Sequence, residues 1–117
     1  MIEQIQRAVM GRWQFFYYRT QAGAEVDLIL ISPNGKMIAI EIKYSLAPSL
    51  SKGFYQSIID LKPDYQYVII PSGSAYFFNK ELKICSLIDF LTIELPMLSS
   101  NTEGGTFPSI PSQIPLF

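Results

Sequence analysis

The chain has 117 residues, 49% of them apolar and 14% aromatic, enough to bury one core and too apolar for a disordered polymer. Nine Lys and Arg against ten Asp and Glu give a net charge of −1, so no global basic field is present and any basic site is local. The absence of histidine excludes imidazole general-base catalysis, His-containing triads and His-ligated zinc, which leaves the chemistry to carboxylates, Lys and Tyr.

The single cysteine, Cys85, can form neither an intramolecular disulfide nor a thiolate cluster, and it reads as a small buried apolar residue in a reducing compartment. Glu3 and Arg7 interrupt the apolar stretch that a signal peptide would need. The apolar runs fall far short of the ~20 residues of a membrane span. The expected location is therefore the cytoplasm, with no membrane association. A mean hydropathy of +0.21 is high for so small a domain and predicts that a partner or a second subunit covers part of the surface.

Ile2, Ile5 and Val9 fall on one helical stripe and Gly11 supplies a stop, which predicts an opening amphipathic helix. The aromatic stretch 14–19 reads as a strand, Gly23 as a turn, and 24–31 as a second strand. In that second strand Ala24, Val26, Leu28 and Leu30 alternate with Glu25, Asp27, Ile29 and Ile31. A third strand, 36–44, sets Ile38, Ile40 and Ile42 against Ala39, Glu41 and Lys43.

The connection Ser32-Pro33-Asn34-Gly35-Lys36 matches a type I turn followed by a left-handed Gly, the usual three-residue hairpin loop. Ser32 then pairs with Lys36, which places Asp27 opposite Glu41 and Glu25 opposite Lys43, with Cβ atoms within about 5.5 Å. A two-residue loop would change the parity and separate the acids.

After Pro48, segment 49–61 has apolar residues at helical spacing and ends at Lys62-Pro63-Asp64. Segments 65–71 and 75–84 read as two more strands, the latter with a turn around Asn79. Ser86 is a candidate N-cap for a last helix closed by Pro96. The expected architecture is α/β, a mixed central sheet flanked by helices in the order helix, three strands, helix, two strands, helix. The expected division is a domain over 1–98 and a Pro-, Ser- and Gly-rich arm over 99–117.

Two carboxylates facing each other, with Lys43 two residues beyond Glu41, outline a hard-metal site. Mg²⁺ accepts one or two carboxylates when water or a substrate phosphate completes its shell. Like charges directly opposite each other cost stability, and a cation removes that cost. The alternative is a pair of solvated residues on a hairpin, with Glu25 and Lys43 as a cross-strand ion pair. Tyr17, Tyr18, Tyr44 and Tyr55 could stack on bases, although aromatics at such positions more often face a core.

Asp27, thirteen intervening positions and then Glu41-Ile42-Lys43, after a helix bearing a Glu, resemble the signature of PD-(D/E)XK nucleases. The stretches YYRTQAGAEVDLIL, IAIEIKYSLAPSLSKGF and DLKP are similar to the C-terminal domain of a family of bacterial and archaeal AAA+ ATPases, over roughly Ile2 to Leu95. The resemblance implies a restriction-endonuclease-like core and Mg²⁺ or Mn²⁺ as cofactor. It also implies Asp27 and Glu41 as metal acids, Lys43 as catalytic lysine, Glu3 as helix acid, and Gln56 or Lys52 as the polar residue of the second helix. The expected activity is phosphodiester hydrolysis of DNA. No GxxxxGK[ST] loop occurs, so this chain is not the ATPase part of that family and is either an excised domain or a lone remnant. Two alternatives stand beside the nuclease: a catalytically idle module linking an AAA+ ATPase to a partner or to DNA, and a homodimer joined through the C-terminal arm.

Overall fold

The computed structural model describes residues 1–45 and 50–100. Helix α1 (Ile2–Val9) is followed by strands β1 (Gln14–Arg19), β2 (Glu25–Ile31) and β3 (Met37–Ile42). Helix α2 (Lys52–Leu61) leads into β4 (Tyr65–Ile70), β5 (Tyr76–Phe77) and β6 (Leu82–Ser86). A continuous helical tract closes the described chain: α3 (Leu87–Asp89), a π-helical turn (Phe90–Glu94) and α4 (Leu95–Ser100). The strands form one mixed sheet in the order β1-β2-β3-β4-β6-β5, antiparallel from β1 to β3, parallel from β3 through β4 to β6, and antiparallel again at β5.

The stripe on α1 behaves as its spacing predicts. Ile5 and Val9 are fully buried against Leu28, Leu30, Ile38 and Ile40, and the closing helices bring Phe90, Leu95 and Leu98 to the same sheet face. Cys85 is buried there too, and its thiol is pushed far up by burial and by the Glu94 carboxylate. The other face belongs to α2, whose Phe54 packs with Val26, Ile29, Ala39, Val68 and Ile84.

The hairpin between β2 and β3 has the expected loop. The Ser32 N–H donates to the Lys36 carbonyl at 2.9 Å, the Gly35 N–H donates to the Ser32 carbonyl at 2.9 Å, and Gly35 sits at φ +84°. The register follows: Leu28 pairs with Ile40, Ile29 with Ala39 and Ile31 with Met37.

Three expectations are corrected. Strict alternation along the second strand fails. Phe16 faces Ile29 and Tyr18 faces Val26, so Tyr17 alone spans both Asp27 and Leu28, a bulge that turns Val26 onto the α2 face. The expected strand 75–84 is two strands, because the Asn79 side chain accepts the Glu81 and Leu82 N–H groups and turns the chain. Pro96 does not close the last helix, which runs through it to Ser100. The widened turn before it supplies the physical reason: Leu95 N–H donates to the Phe90 carbonyl, five residues back, in the register where a proline would otherwise crowd the preceding turn. The arm expected beyond this helix lies, from residue 101 on, outside the described residues, as does 46–49, which includes the first residue of the expected segment 49–61.

The π turn delivers Glu94 into the core. Its Oε2 lies 2.5 Å from Lys83 Nζ and its Oε1 accepts the Tyr67 hydroxyl at 2.9 Å, with Lys83 and Glu94 each 1% exposed. The Tyr67 hydroxyl is pushed well up by burial and by that carboxylate. Removing one member of a buried pair strands the other, at about 3–5 kcal/mol. Lys83→Met is therefore expected to lower the unfolding free energy measured by urea titration by that amount. Lys83→Met with Glu94→Gln, which removes both charges and keeps an acceptor for Tyr67, is expected to recover most of the loss.

Candidate functional site

The β2–β3 ladder ends at Leu28 and Ile40, one pair short of the acids. Beyond it β3 is engaged by β4, with Glu41 beside Val68 and Ile42 beside Ile69, and the Lys43 N–H donates to the Ile69 carbonyl at 2.9 Å. On its β2 side the Ile42 N–H has no ladder partner, and the Asp27 side chain takes that place: its Oδ2 accepts that N–H at 2.7 Å. The bulge at Asp27 and the divergence of the two strands are one event. They turn a ladder position into a carboxylate beside Glu41.

Glu41 is 7% exposed. Its Oε1 accepts the Ser51 hydroxyl at 2.6 Å and lies 4.0 Å from Lys43 Nζ. Its Oε2 is buried and has no hydrogen-bond partner. Burial holds the Glu41 carboxyl above the usual carboxylate range. The Ser51 hydroxyl and the Lys43 ammonium pull it back down, and the Asp27 charge raises it further.

Ser51 escaped the sequence analysis because the helix was expected to begin at residue 49. It is the N-cap of α2: its Oγ accepts the Phe54 N–H at 3.1 Å while its hydroxyl proton goes to Glu41. A Ser three residues before a buried apolar residue was the available signal. Helix α2 is seated by close contact, since a Cβ on Gly53 would come within 2.7 Å of the Gly23 carbonyl oxygen and 3.2 Å of Glu25 Cβ.

Asp27, Glu41 and Lys43 are thus brought together, and Glu3 and Gln56 are not. Glu3 is 79% exposed at the start of α1 with its Oε1 3.5 Å from the Met1 amine; its own backbone N–H, then the Met1 amine, lower its pKa. Gln56 donates to Asp60 Oδ1 at 3.0 Å on the exposed side of α2, and Lys52 is exposed in the first turn. The pairing of Glu25 with Lys43 does not form, because the ladder ends before reaching them. Glu25 instead meets Arg19 across β1 at 2.9 Å. Three of the four tyrosines are not core: Tyr17 is 72% and Tyr44 76% exposed and Tyr55 is exposed, while Tyr18 packs half-buried against the α2-face core with its hydroxyl on Asp60 at 3.3 Å. Tyr17 lies on the edge strand β1, Tyr44 beyond the end of β3 and Tyr55 on the exposed side of α2.

Among the described residues no group of three or more Cys, Asp and Glu could hold a metal ion. The donor set is two carboxylates, which suits Mg²⁺ or Mn²⁺ with a mostly aqueous shell and not a fully protein-caged ion. The orphaned Glu41 oxygen fits such an ion.

These features define a mixed α/β domain with a paired-acid hairpin. The chain belongs to DUF4143, a domain of unknown function whose family model matches residues 1–90. This accords with the resemblance to a domain that accompanies AAA+ ATPases. No curated protein and no solved structure matches it. Among the described residues no helix is long and apolar enough to cross a membrane.

A carboxyl whose folded pKa is raised stabilises the fold while protonated and loses that contribution as pH climbs through the raised value. At neutral pH an ionised, half-satisfied Glu41 therefore costs stability. In chelator, Glu41→Gln is expected to raise the thermal midpoint at neutral pH by a few degrees, on the order of 1 kcal/mol. The gain is expected to vanish as the pH falls into the carboxylate range, followed by circular dichroism.

Proposed function

We propose that this domain is nuclease-like and binds Mg²⁺ or Mn²⁺ through Asp27 and Glu41 to hydrolyse phosphodiester bonds of DNA. The single observation that carries this reading is the buried, unpartnered Oε2 of Glu41, beside Asp27 and with Lys43 at its other oxygen. A bound divalent cation supplies Lewis-acid polarisation of a phosphoryl oxygen and a more acidic water. Asp27 and Glu41 contribute hard oxygen donors, and Ser51 fixes the Glu41 rotamer by holding Oε1. The Lys43 ammonium, partly exposed, is placed to stabilise charge developing on a phosphate next to Glu41. Glu3 and Gln56 have no part in this reading.

A second reading is a catalytically idle module of an AAA+ ATPase system that docks its own ATPase, a client or a second copy of itself. The observation favouring it is the edge strand β1, where Phe15, Phe16 and Tyr17 are all exposed. Dimerisation through the arm 99–117 falls mostly on residues outside those described.

Calorimetric titration with Mg²⁺ and Mn²⁺, run beside a DNA cleavage assay, separates the two. The nuclease reading expects saturable binding that is lost in Asp27→Asn with Glu41→Gln, where Asn keeps an acceptor for the Ile42 N–H. It also expects cleavage that falls by at least about 10²-fold in Lys43→Ala with metal binding retained. No binding at millimolar metal and no cleavage would leave the idle module.

A further inference from the structure

A cleft of about 450 Å³ opens beside Asp27, lined by Ile2 of α1, Tyr17, Tyr18 and Arg19 of β1, and Glu25 and Val26 of β2. Its volume lies in the roughly 300–1,000 Å³ range of small-ligand sites. That is room for one nucleotide and not for a duplex. We propose that this cleft seats one unpaired nucleotide of a nucleic-acid strand, with the Tyr17 ring stacked on the base and Arg19 holding the neighbouring phosphate.

The proposal deepens the metal-centre reading and rests on it. Tyr17 is 72% exposed and offers an open ring face, while Tyr18 is tethered to Asp60 and forms a fixed wall. Base stacking on an aromatic face needs an unpaired base, since a duplex keeps those faces against their neighbours. Arg19 is 77% exposed and its partner Glu25 is 50% exposed, so their ion pair is weak and a phosphate displaces the carboxylate at little cost. A duplex binder needs a broad basic surface, which a chain of net charge −1 does not provide.

Charge sets the order of events. Arg19, Glu25 and Asp27 leave the cleft net negative, which repels a strand. A divalent cation on Asp27 and Glu41 reverses that sign, so strand binding is coupled to metal binding. A cationic peptide would prefer the metal-free cleft, but Arg19 stands among its walls and already engages Glu25.

The test is fluorescence titration of a single-stranded oligonucleotide carrying 2-aminopurine, and of its duplex, with Ca²⁺ in place of Mg²⁺ and again in chelator. Calorimetry with the metal alone runs in parallel. The expected result is saturable quenching by the single strand in Ca²⁺, roughly tenfold weaker binding of the duplex and of the strand to Tyr17→Leu, and loss of binding in chelator. Arg19→Ala is expected to weaken binding and lower the salt slope by about one. Equal affinity for duplex, or an unchanged Tyr17→Leu, overturns the proposal, as does binding of an oligolysine peptide where the strand does not bind. Failure of the metal centre is read separately, as no heat on adding metal. Tyr17-dependent quenching that persists in chelator would overturn the coupling of strand binding to metal while keeping the nucleotide subsite.

Discussion

The hydrogen bond from the Ile42 N–H to Asp27 Oδ2 is the constraint on which the site depends. Strand β3 is paired on one side by β2 and on the other by β4, and the two ladders do not end together. Where β2 leaves, a backbone donor in the middle of the sheet needs an acceptor, because an unmet buried N–H costs free energy comparable to a lost hydrogen bond. A carboxylate reaching in from β2 fills that role and is held there by it. The bulge opposite Tyr17 makes the reach possible, since the extra residue shifts the side-chain alternation of β2 at Asp27. Asp27 is therefore structural and chemical at once, with one oxygen committed to the sheet.

The two buried carboxylates among the described residues are treated differently. Glu94 has both oxygens engaged, one by the Lys83 ammonium and one by the Tyr67 hydroxyl, inside the larger core. Glu41 has one oxygen met by Ser51 and the other by nothing, with its lysine at the outer limit of an ion pair. This fold can satisfy a buried carboxylate completely, so the incomplete satisfaction of Glu41 is local to the hairpin. A buried acceptor without a donor is where a ligand gains most, because the ligand meets a desolvation cost that folding has already incurred.

Much of this was legible in the sequence where local rules act alone. Pro33, Asn34 and Gly35 specify their loop through turn chemistry, and the loop fixed the register that brings Asp27 near Glu41. The α1 stripe and the Lys62-Pro63 stop at the end of α2 are equally local, Lys62 closing the helix at φ +50°. What was not legible depends on a third element. The bulge at Asp27 lies in the pairing of β2 with β1, and alternation within β2 carries no trace of it. Pro96 reads as a terminator until the π turn before it is known. Ser51 as partner of Glu41 requires the docking of α2 over β2, which the close approach of Gly53 to the Gly23 carbonyl permits. The exposure of Tyr17 follows from β1 lying at the sheet edge, a matter of strand order.

Electrostatics ties the pieces into one argument. Around the hairpin the side chains nearest the acids are Lys43 and, across the cleft, Arg19, set against Asp27, Glu41 and Glu25, so the bare site is net negative. Arg19 meets Glu25 in an exposed ion pair and Lys43 stands 4.0 Å from Glu41, so each cation is shared with a carboxylate. On the proposed reading, an anionic substrate would meet a barrier here until a divalent cation is bound, and the cation would meet an attraction. Coulomb energy scales with the product of charges, so a doubly charged ion shifts the local balance more than any single side-chain change would. On the proposed reading, the affinity of this net-negative hairpin for a phosphate would depend on the metal.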